Sequence, residues 1–116
     1  MRLLAVAGMA GALAVAFGAF GAHGLDERLT PEALGWWETG TLYLLVHAAA
    51  GLAMGLQQAI SARPGWFMVF GAGIFAGTLY AMALGAPTVL GAVTPIGGIL
   101  MIVGWIDVIV SGLRRR

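Results

Sequence analysis

Three residues that can exchange protons lie in or beside long apolar runs of this sequence: His23, His47 and Asp107. Tyr43 precedes His47 by four positions, which is one turn of an α-helix. An imidazole can change its charge near neutral pH, and a carboxylate can carry a proton or pair with an arginine. Such groups are costly in apolar surroundings, so each of them needs a partner or a function.

Two interpretations of His47 stay open. It can be a structural group that hydrogen-bonds Tyr43, Tyr80 or a free backbone carbonyl, or it can accept a proton or contact a ligand. At 1.5 Å per residue, His47 lies about 10 Å from the outer end of an apolar run that begins at residue 41. His23 ends the first apolar run and is expected to hydrogen-bond the loop that follows it.

Asp107 also has two interpretations. We favour an ion pair with Arg63 or Arg114 near the membrane surface, which long basic side chains can reach. A carboxylate that couples proton movement to transport is the alternative.

The polar residues of the apolar runs are predicted to form one cluster in the outer half of the membrane. Two histidines without a matching ligand pattern make a poor metal site, even with Glu38 or Asp26 nearby. No nucleophile with a base, phosphate-binding loop or metal cluster is recognisable. We therefore expect no metal, no cofactor and no enzymatic activity. The predicted cluster consists of His47, Tyr43, His23, Tyr80 and Thr94.

The composition identifies the class of protein that must position these residues. Of the 116 residues, 60% are hydrophobic and only 9% are charged, which is too few to cover a water-facing surface. The chain is therefore an integral membrane protein. It has no cysteine, which excludes disulfides and thiolate metal sites, and a net charge of +1, which excludes a basic face for nucleic acid.

Four apolar runs predict a single all-α domain, residues 1–116, built as a bundle of four transmembrane helices. Each run is long enough to cross about 30 Å of hydrocarbon as a helix. The first run also resembles a secretory signal peptide, but it is longer than the apolar part of a typical one, which favours an uncleaved helix. The predicted spans are 3–22, 41–60, 66–86 and 94–113.

The distribution of arginine predicts the orientation. Cytoplasmic loops of inner-membrane proteins are enriched in basic residues, so both termini are placed in the cytoplasm of a bacterial cell. The segment 23–40 and the turn 87–93 then face the periplasm. The predicted cytoplasmic side holds Arg2, Arg63 and Arg114–Arg116, whereas the other side holds only Arg28.

The long outer connection is predicted to contain a short periplasmic helix that lies at the membrane interface. Thr30, Pro31 and Glu32 have the residue types of a helix N-cap, first position and first turn. Trp36 and Trp37 give this segment an apolar side, and tryptophan favours the headgroup level.

Rows of small residues predict close helix packing. Glycine at every fourth or seventh position lets transmembrane helices approach each other, and His47 lies on one such row, so it points into protein. The pattern indicates packing and does not indicate a function. The glycines assigned to helix contacts are Gly51, Gly55, Gly73, Gly77 and Gly104.

Several strings together resemble one family of proteins. Phe20–Leu25 reads FGAHGL, Glu38–Gly40 precedes Tyr43 and His47, and Leu90–Gly98 reads LGAVTPIGG. These strings are similar to those of small four-span inner-membrane proteins with a domain of unknown function, whose eukaryotic relative is called transmembrane protein 256. The resemblance implies a four-helix membrane fold and no known activity or cofactor.

Three functions remain open at this point. The first is a non-enzymatic packing or accessory component, embedded in the lipid bilayer as a homo-oligomer or as part of a larger membrane complex. The second is a small dimeric transporter or proton-linked carrier, for which only Asp107 or His47 could supply the ionisable group. The third is a lipid- or quinone-binding protein that uses the outer cluster.

Overall fold

A computed structural model describes residues 2–115, and it contains four long helices and no strand in that range. Each helix is long and apolar enough to cross a membrane. The predicted all-α bundle of four transmembrane helices is therefore confirmed. The helices are α1 (Arg2–His23), α2 (Pro31–Leu56), α3 (Arg63–Ala83) and α4 (Thr94–Arg114), and a 3₁₀ turn, Thr88–Ala92, precedes α4.

Consecutive helices run antiparallel, with α2 and α3 in the centre of the bundle. α1 packs mainly on α2, and α4 packs mainly on α3. One end of the bundle holds the start of α1, the connection between α2 and α3, and the end of α4; we call it the terminal end. The bundle is 52 Å long, more than the hydrocarbon thickness of about 30 Å.

The two outer helices bury only one narrow stripe each. The buried residues of α1 include Leu3, Ala7, Ala10 and Ala14, which recur every three or four positions and so share one face. In α4 the buried stripe is Thr94, Gly97, Met101 and Gly104. The remaining faces are apolar and exposed, as expected of surfaces that contact lipid tails. On α4 these exposed residues include Ile96, Ile99, Ile102, Ile106 and Ile109.

The separate interfacial helix predicted between the first two spans is not present in the described chain. Thr30 is the N-cap, as its sequence context indicates, and its hydroxyl accepts a hydrogen bond from the Ala33 amide at 3.1 Å. The helix that begins there continues without a break to Leu56. No proline separates the two segments and Gly40 at their junction is helical, so the expected interfacial helix forms the first turns of α2.

Trp37 is buried against α1, and its ring is not presented to lipid headgroups as its type had suggested. Its side chain is 3% exposed, and its indole N–H donates to the Phe17 carbonyl at 2.7 Å. Gly21 makes room for the ring, because a Cβ there would lie 2.5 Å from an indole carbon. The start of α2 is thereby joined to α1 by packing and a hydrogen bond.

Side-chain and backbone caps end α2 and α3 earlier than the apolar runs suggested. The Gln57 side chain accepts from the Ile60 amide and donates to the Ile60 carbonyl, so α2 ends at Leu56 and not at residue 60. After α3, the Gly85 amide donates to the Met82 carbonyl, and the Ala86 amide donates to the Ala81 carbonyl. Gly85 has φ of 107°, and these bonds form a Schellman cap, which requires that left-handed residue.

Candidate functional site

His47 lies deep in the bundle with both ring nitrogens hydrogen-bonded. Nδ1 lies 2.7 Å from the Tyr43 carbonyl oxygen, and Nε2 accepts from the Trp105 indole N–H at 3.0 Å. The side chain is 5% exposed. At 1.5 Å per residue, His47 lies about 24 Å from the start of α2 and about 14 Å from its end.

These two partners determine the protonation state of the ring. An indole N–H can only donate, so Nε2 must be the unprotonated acceptor. A carbonyl oxygen can only accept, so Nδ1 must carry the hydrogen. The geometry therefore assigns His47 as the neutral Nδ1–H tautomer, and its bond to Trp105 joins α2 to α4.

Two pairs of hydroxyl groups join α3 to its neighbouring helices. Tyr80 Oη of α3 lies 2.7 Å from Thr41 Oγ1 of α2, and Thr41 also donates to the Trp37 carbonyl. Thr78 and Thr94 join α3 to α4 by a 2.7 Å bond between their hydroxyl oxygens. In each pair one hydroxyl can donate to its partner while the other donates to a backbone carbonyl of its own helix.

The five residues of the predicted outer cluster are therefore distributed over separate contacts. His47 bonds Trp105, Tyr80 bonds Thr41, and Thr94 bonds Thr78. No hydrogen bond joins any of the three pairs to another among residues 2–115. His23 is exposed at the end of α1, and the Tyr43 side chain is 42% exposed beside His47.

Asp107 contacts Arg63, one of the two arginines named as its partners from the sequence. Both carboxylate oxygens of Asp107 accept from the guanidinium at 2.8 Å, in a bidentate pair. Ser111 donates a longer bond to the same carboxylate at 3.3 Å. This pair joins the beginning of α3 to α4 near the terminal end of the bundle.

Three of the five glycines assigned to helix packing lie at helix contacts. A Cβ at Gly51 would clash with the Val69 side chain, and one at Gly55 would lie 3.4 Å from the Leu4 amide. A Cβ at Gly104 would lie 3.0 Å from the Pro64 carbonyl oxygen.

Gly73 and Gly77, which were also assigned to helix packing, contact no other helix of the described bundle. No heavy atom lies within 4 Å of a Cβ added at either position. Both residues line an open apolar groove of about 410 Å³ between α1 and α3, which we call the α1–α3 groove. The four-residue spacing identified a row of small residues correctly, but this row faces outward.

Several residues that join the helices were not assigned a role from the sequence. Trp105 was assigned no role from the sequence, although it supplies the hydrogen-bond partner of His47. α3 and α4 also approach each other closely at Gly71 and Gly97, where a Cβ on Gly97 would lie 2.5 Å from the Gly71 carbonyl oxygen. The seven-residue spacing of Gly97 and Gly104 did indicate a packing row on α4, whereas Gly71 was assigned no role.

Fold and site together define a small multi-pass helical membrane protein whose intramembrane polar groups bond across helices. A family model described as "Protein of unknown function (DUF423)" matches residues 17–98. The chain belongs to this family.

Curated relatives cover nearly the whole chain. A UPF0382 membrane protein of Staphylococcus epidermidis is 38% identical, with 98% of each chain aligned. UPF0382 membrane protein YwdK of Bacillus subtilis is 35% identical over 98% of each chain. UPF0382 inner membrane protein YgdD of Escherichia coli K12 is 37% identical over 98% of this chain and 91% of its own length. No solved structure matches the chain.

Proposed function

We propose that the protein is a non-enzymatic component of a membrane assembly, which binds a transmembrane helix of another subunit in the α1–α3 groove. The observation that carries this proposal is the position of Gly73 and Gly77. They are four residues apart on α3, and no heavy atom lies within 4 Å of a Cβ built on either. Rows of this kind let a second helix approach the backbone closely.

The walls of the groove support a helix as its occupant. Met9 and Leu13 of α1 and Phe70 of α3 are exposed beside it, so both rims are apolar. Glycines inside the bundle are crowded by backbone or side-chain atoms, as at Gly71 and Gly97, whereas those in the groove are open. A partner helix packed against Gly73 and Gly77 would make the same kind of contact with α3 that α4 makes. The partner is a second copy of this chain or a helix of a different subunit.

The hydrogen bonds of the buried polar groups support a structural role for the intramembrane residues. Within residues 2–115, every buried side-chain nitrogen and oxygen atom has a hydrogen-bond partner. His47 and Asp107, the two groups that a proton-linked carrier would use, are each bonded to a neighbouring helix. This arrangement favours the accessory function over the carrier.

We further infer a bacterial inner membrane location with both termini in the cytoplasm. The relative from Escherichia coli is named an inner membrane protein, and the terminal end carries Arg2, Arg63, Arg114 and Arg115. Basic residues favour the cytoplasmic side. We also infer that the family extends to eukaryotic transmembrane protein 256, on the strings around His23, His47 and Thr94.

The test compares two leucine substitutions in the chain purified in mild detergent from its own membrane. Gly77→Leu places a side chain in the α1–α3 groove, whereas Gly112→Leu lies on α4, where an added Cβ likewise meets no heavy atom within 4 Å. The readouts are the assembly mass and the proteins that copurify, identified by mass spectrometry.

We expect the wild-type chain and Gly112→Leu to form the same assembly, and Gly77→Leu to reduce it at least tenfold without loss of helix content. A stoichiometric foreign protein would identify a larger complex, and a multiple of the chain mass would identify a homo-oligomer. A monomeric wild-type chain without a partner, or an assembly that survives Gly77→Leu, would refute the proposal.

A further inference from the structure

A second cavity lies on the other side of the bundle, between α2 and α4. Its volume is about 360 Å³, which is in the range of small-molecule sites, and we call it the α2–α4 cleft. α3 forms its floor with Phe75, and α2 and α4 form its walls. The His47–Trp105 hydrogen bond joins the two walls. The lining residues that matter here are Tyr43, His47, Phe75, Gly98, Ile102 and Trp105.

Of the polar side-chain groups that line the α2–α4 cleft, only the Tyr43 hydroxyl is without a partner. Both nitrogens of His47 and the indole N–H of Trp105 are bonded. The Tyr43 hydroxyl makes no hydrogen bond to any residue from 2 to 115. The centroid of its ring lies 6.2 Å from that of the parallel His47 ring and 4.8 Å from that of Phe75. The cleft thus offers one free hydroxyl, which can donate a hydrogen bond, on a supported aromatic ring.

Gly98 keeps the α2–α4 cleft open. No heavy atom lies within 4 Å of a Cβ added at Gly98, although the adjacent Gly97 is crowded against the α3 backbone. The two glycines therefore differ in role: Gly97 allows α4 to contact α3, and Gly98 leaves space next to Tyr43. A larger side chain at position 98 would enter the cleft without disturbing the contact between the helices.

We propose that the α2–α4 cleft binds a lipid-soluble molecule with an apolar body and a carbonyl group that accepts a hydrogen bond from Tyr43. The apolar and aromatic walls match the body of such a ligand, and the free hydroxyl matches an acceptor. A phenol donor in hydrocarbon gains more from an acceptor than it does in water. The carbonyl of an isoprenoid quinone and the ester carbonyl of a phospholipid share this chemistry. The site does not depend on the proposed helix partner, which binds the opposite groove.

Fluorine NMR of the whole chain in nanodiscs tests this proposal directly. The chain has two tyrosines, so incorporation of 3-fluorotyrosine gives one signal from Tyr43 and one from Tyr80. Tyr43→Phe assigns the signals. Tyr80 bonds Thr41 away from the cleft and reports the fold in the same spectrum. Decylubiquinone is titrated in one arm, and ester-linked and ether-linked phospholipids with the same headgroup are compared in the other.

We expect the Tyr43 signal to shift saturably with the quinone, or to differ between ester and ether lipids, while the Tyr80 signal stays constant. The first result identifies a quinone site and the second a phospholipid site. Gly98→Leu and, independently, Ile102→Trp fill the cleft and should abolish the shift, and Gly112→Leu should preserve it. In the quinone arm, Tyr43→Phe should weaken binding roughly fivefold, as loss of one neutral hydrogen bond does, measured by quinone retention. A Tyr43 signal insensitive to both arms, or a shift that persists in the two filled variants, would overturn the proposal.

Discussion

His47 shows how far a single residue can be interpreted from its type and position. The row that it shares with Gly51 and Gly55 predicted that it points into protein, and the ring is buried. Its partner could not be predicted, because Trp105 is distant in sequence and the contact depends on how α4 lies against α3. The same holds for Tyr80 and Thr41. Hydrogen bonds between distant residues follow from helix packing, which local spacing does not define.

The tautomer of His47 is the first prediction at this scale. Nitrogen NMR of the chain should show a protonated Nδ1 and an unprotonated Nε2, because Nδ1 faces a carbonyl and Nε2 faces an indole N–H. The exposed His23 is the internal comparison and should not show this fixed pattern. A protonated Nε2 on His47 at neutral pH would contradict the geometry.

The second prediction concerns the stability supplied by Trp105. Trp105→Phe keeps an aromatic ring but leaves Nε2 of His47 without a donor in a buried position, which should cost about 1–3 kcal/mol of unfolding free energy. Reversible unfolding in mixed micelles measures this loss. Trp66→Phe is the matched control, because Trp66 stacks on Phe70 without a side-chain hydrogen bond to the described residues. Equal losses in the two variants would show that the bond contributes nothing.

At the scale of the helices, the sequence predicted number, type and approximate ends but not which faces meet. Small residues occur on several faces of α3, so the row through Gly73 and Gly77 was chosen by spacing although Gly71 makes the contact with α4. The extra length of α2 was missed because its charged and aromatic first turns do not resemble an apolar span. Its early end depends on the side-chain cap of Gln57.

The neighbouring glycines of α4 give a prediction for the α3–α4 contact. Gly97→Ala places a Cβ 2.5 Å from the Gly71 carbonyl oxygen and from the Phe75 amide, so the helices must separate. We expect Gly97→Ala to lower the free energy of unfolding by about 1–3 kcal/mol, as overpacking of a core does. Gly98→Ala meets no atom within 4 Å and should change stability by less than about 0.5 kcal/mol. The free energies of unfolding of both variants are measured in the same micelles. Similar losses in the two variants would contradict the assigned contact.

For the whole molecule, the pattern of charge carries information that the fold does not contain. The structure places the start of α1, the end of α4 and the 57–62 connection at one end of the bundle. Which side of the membrane this end faces is inferred from the arginines. The composition was sufficient to predict a membrane bundle. A surface with so few charged residues cannot face water, so it must contact lipid. The mode of assembly was not predictable, because it depends on which exposed apolar face another helix covers.

The orientation can be tested with single cysteines, since the chain has none of its own. Glu27 lies in the connection between α1 and α2, and Ser61 lies in the connection between α2 and α3; both are exposed. A membrane-impermeant maleimide should label Glu27→Cys in spheroplasts and Ser61→Cys only after the membrane is permeabilised. The reverse pattern would place the termini in the periplasm.

The unequal lengths of the helices have a consequence for bilayers of different thickness. α1, α3 and α4 are about 32 Å long and match the hydrocarbon layer, whereas α2, with 26 residues, is about 39 Å long. The extra turns are fixed to α1 through Trp37 and the Phe17 carbonyl, so protein and not lipid supports them. Glu32 and Glu38 are exposed on these turns, so a thicker membrane would have to bury two carboxylates to cover them. In a thinner membrane these turns can stay helical outside the hydrocarbon, because Trp37 joins them to α1.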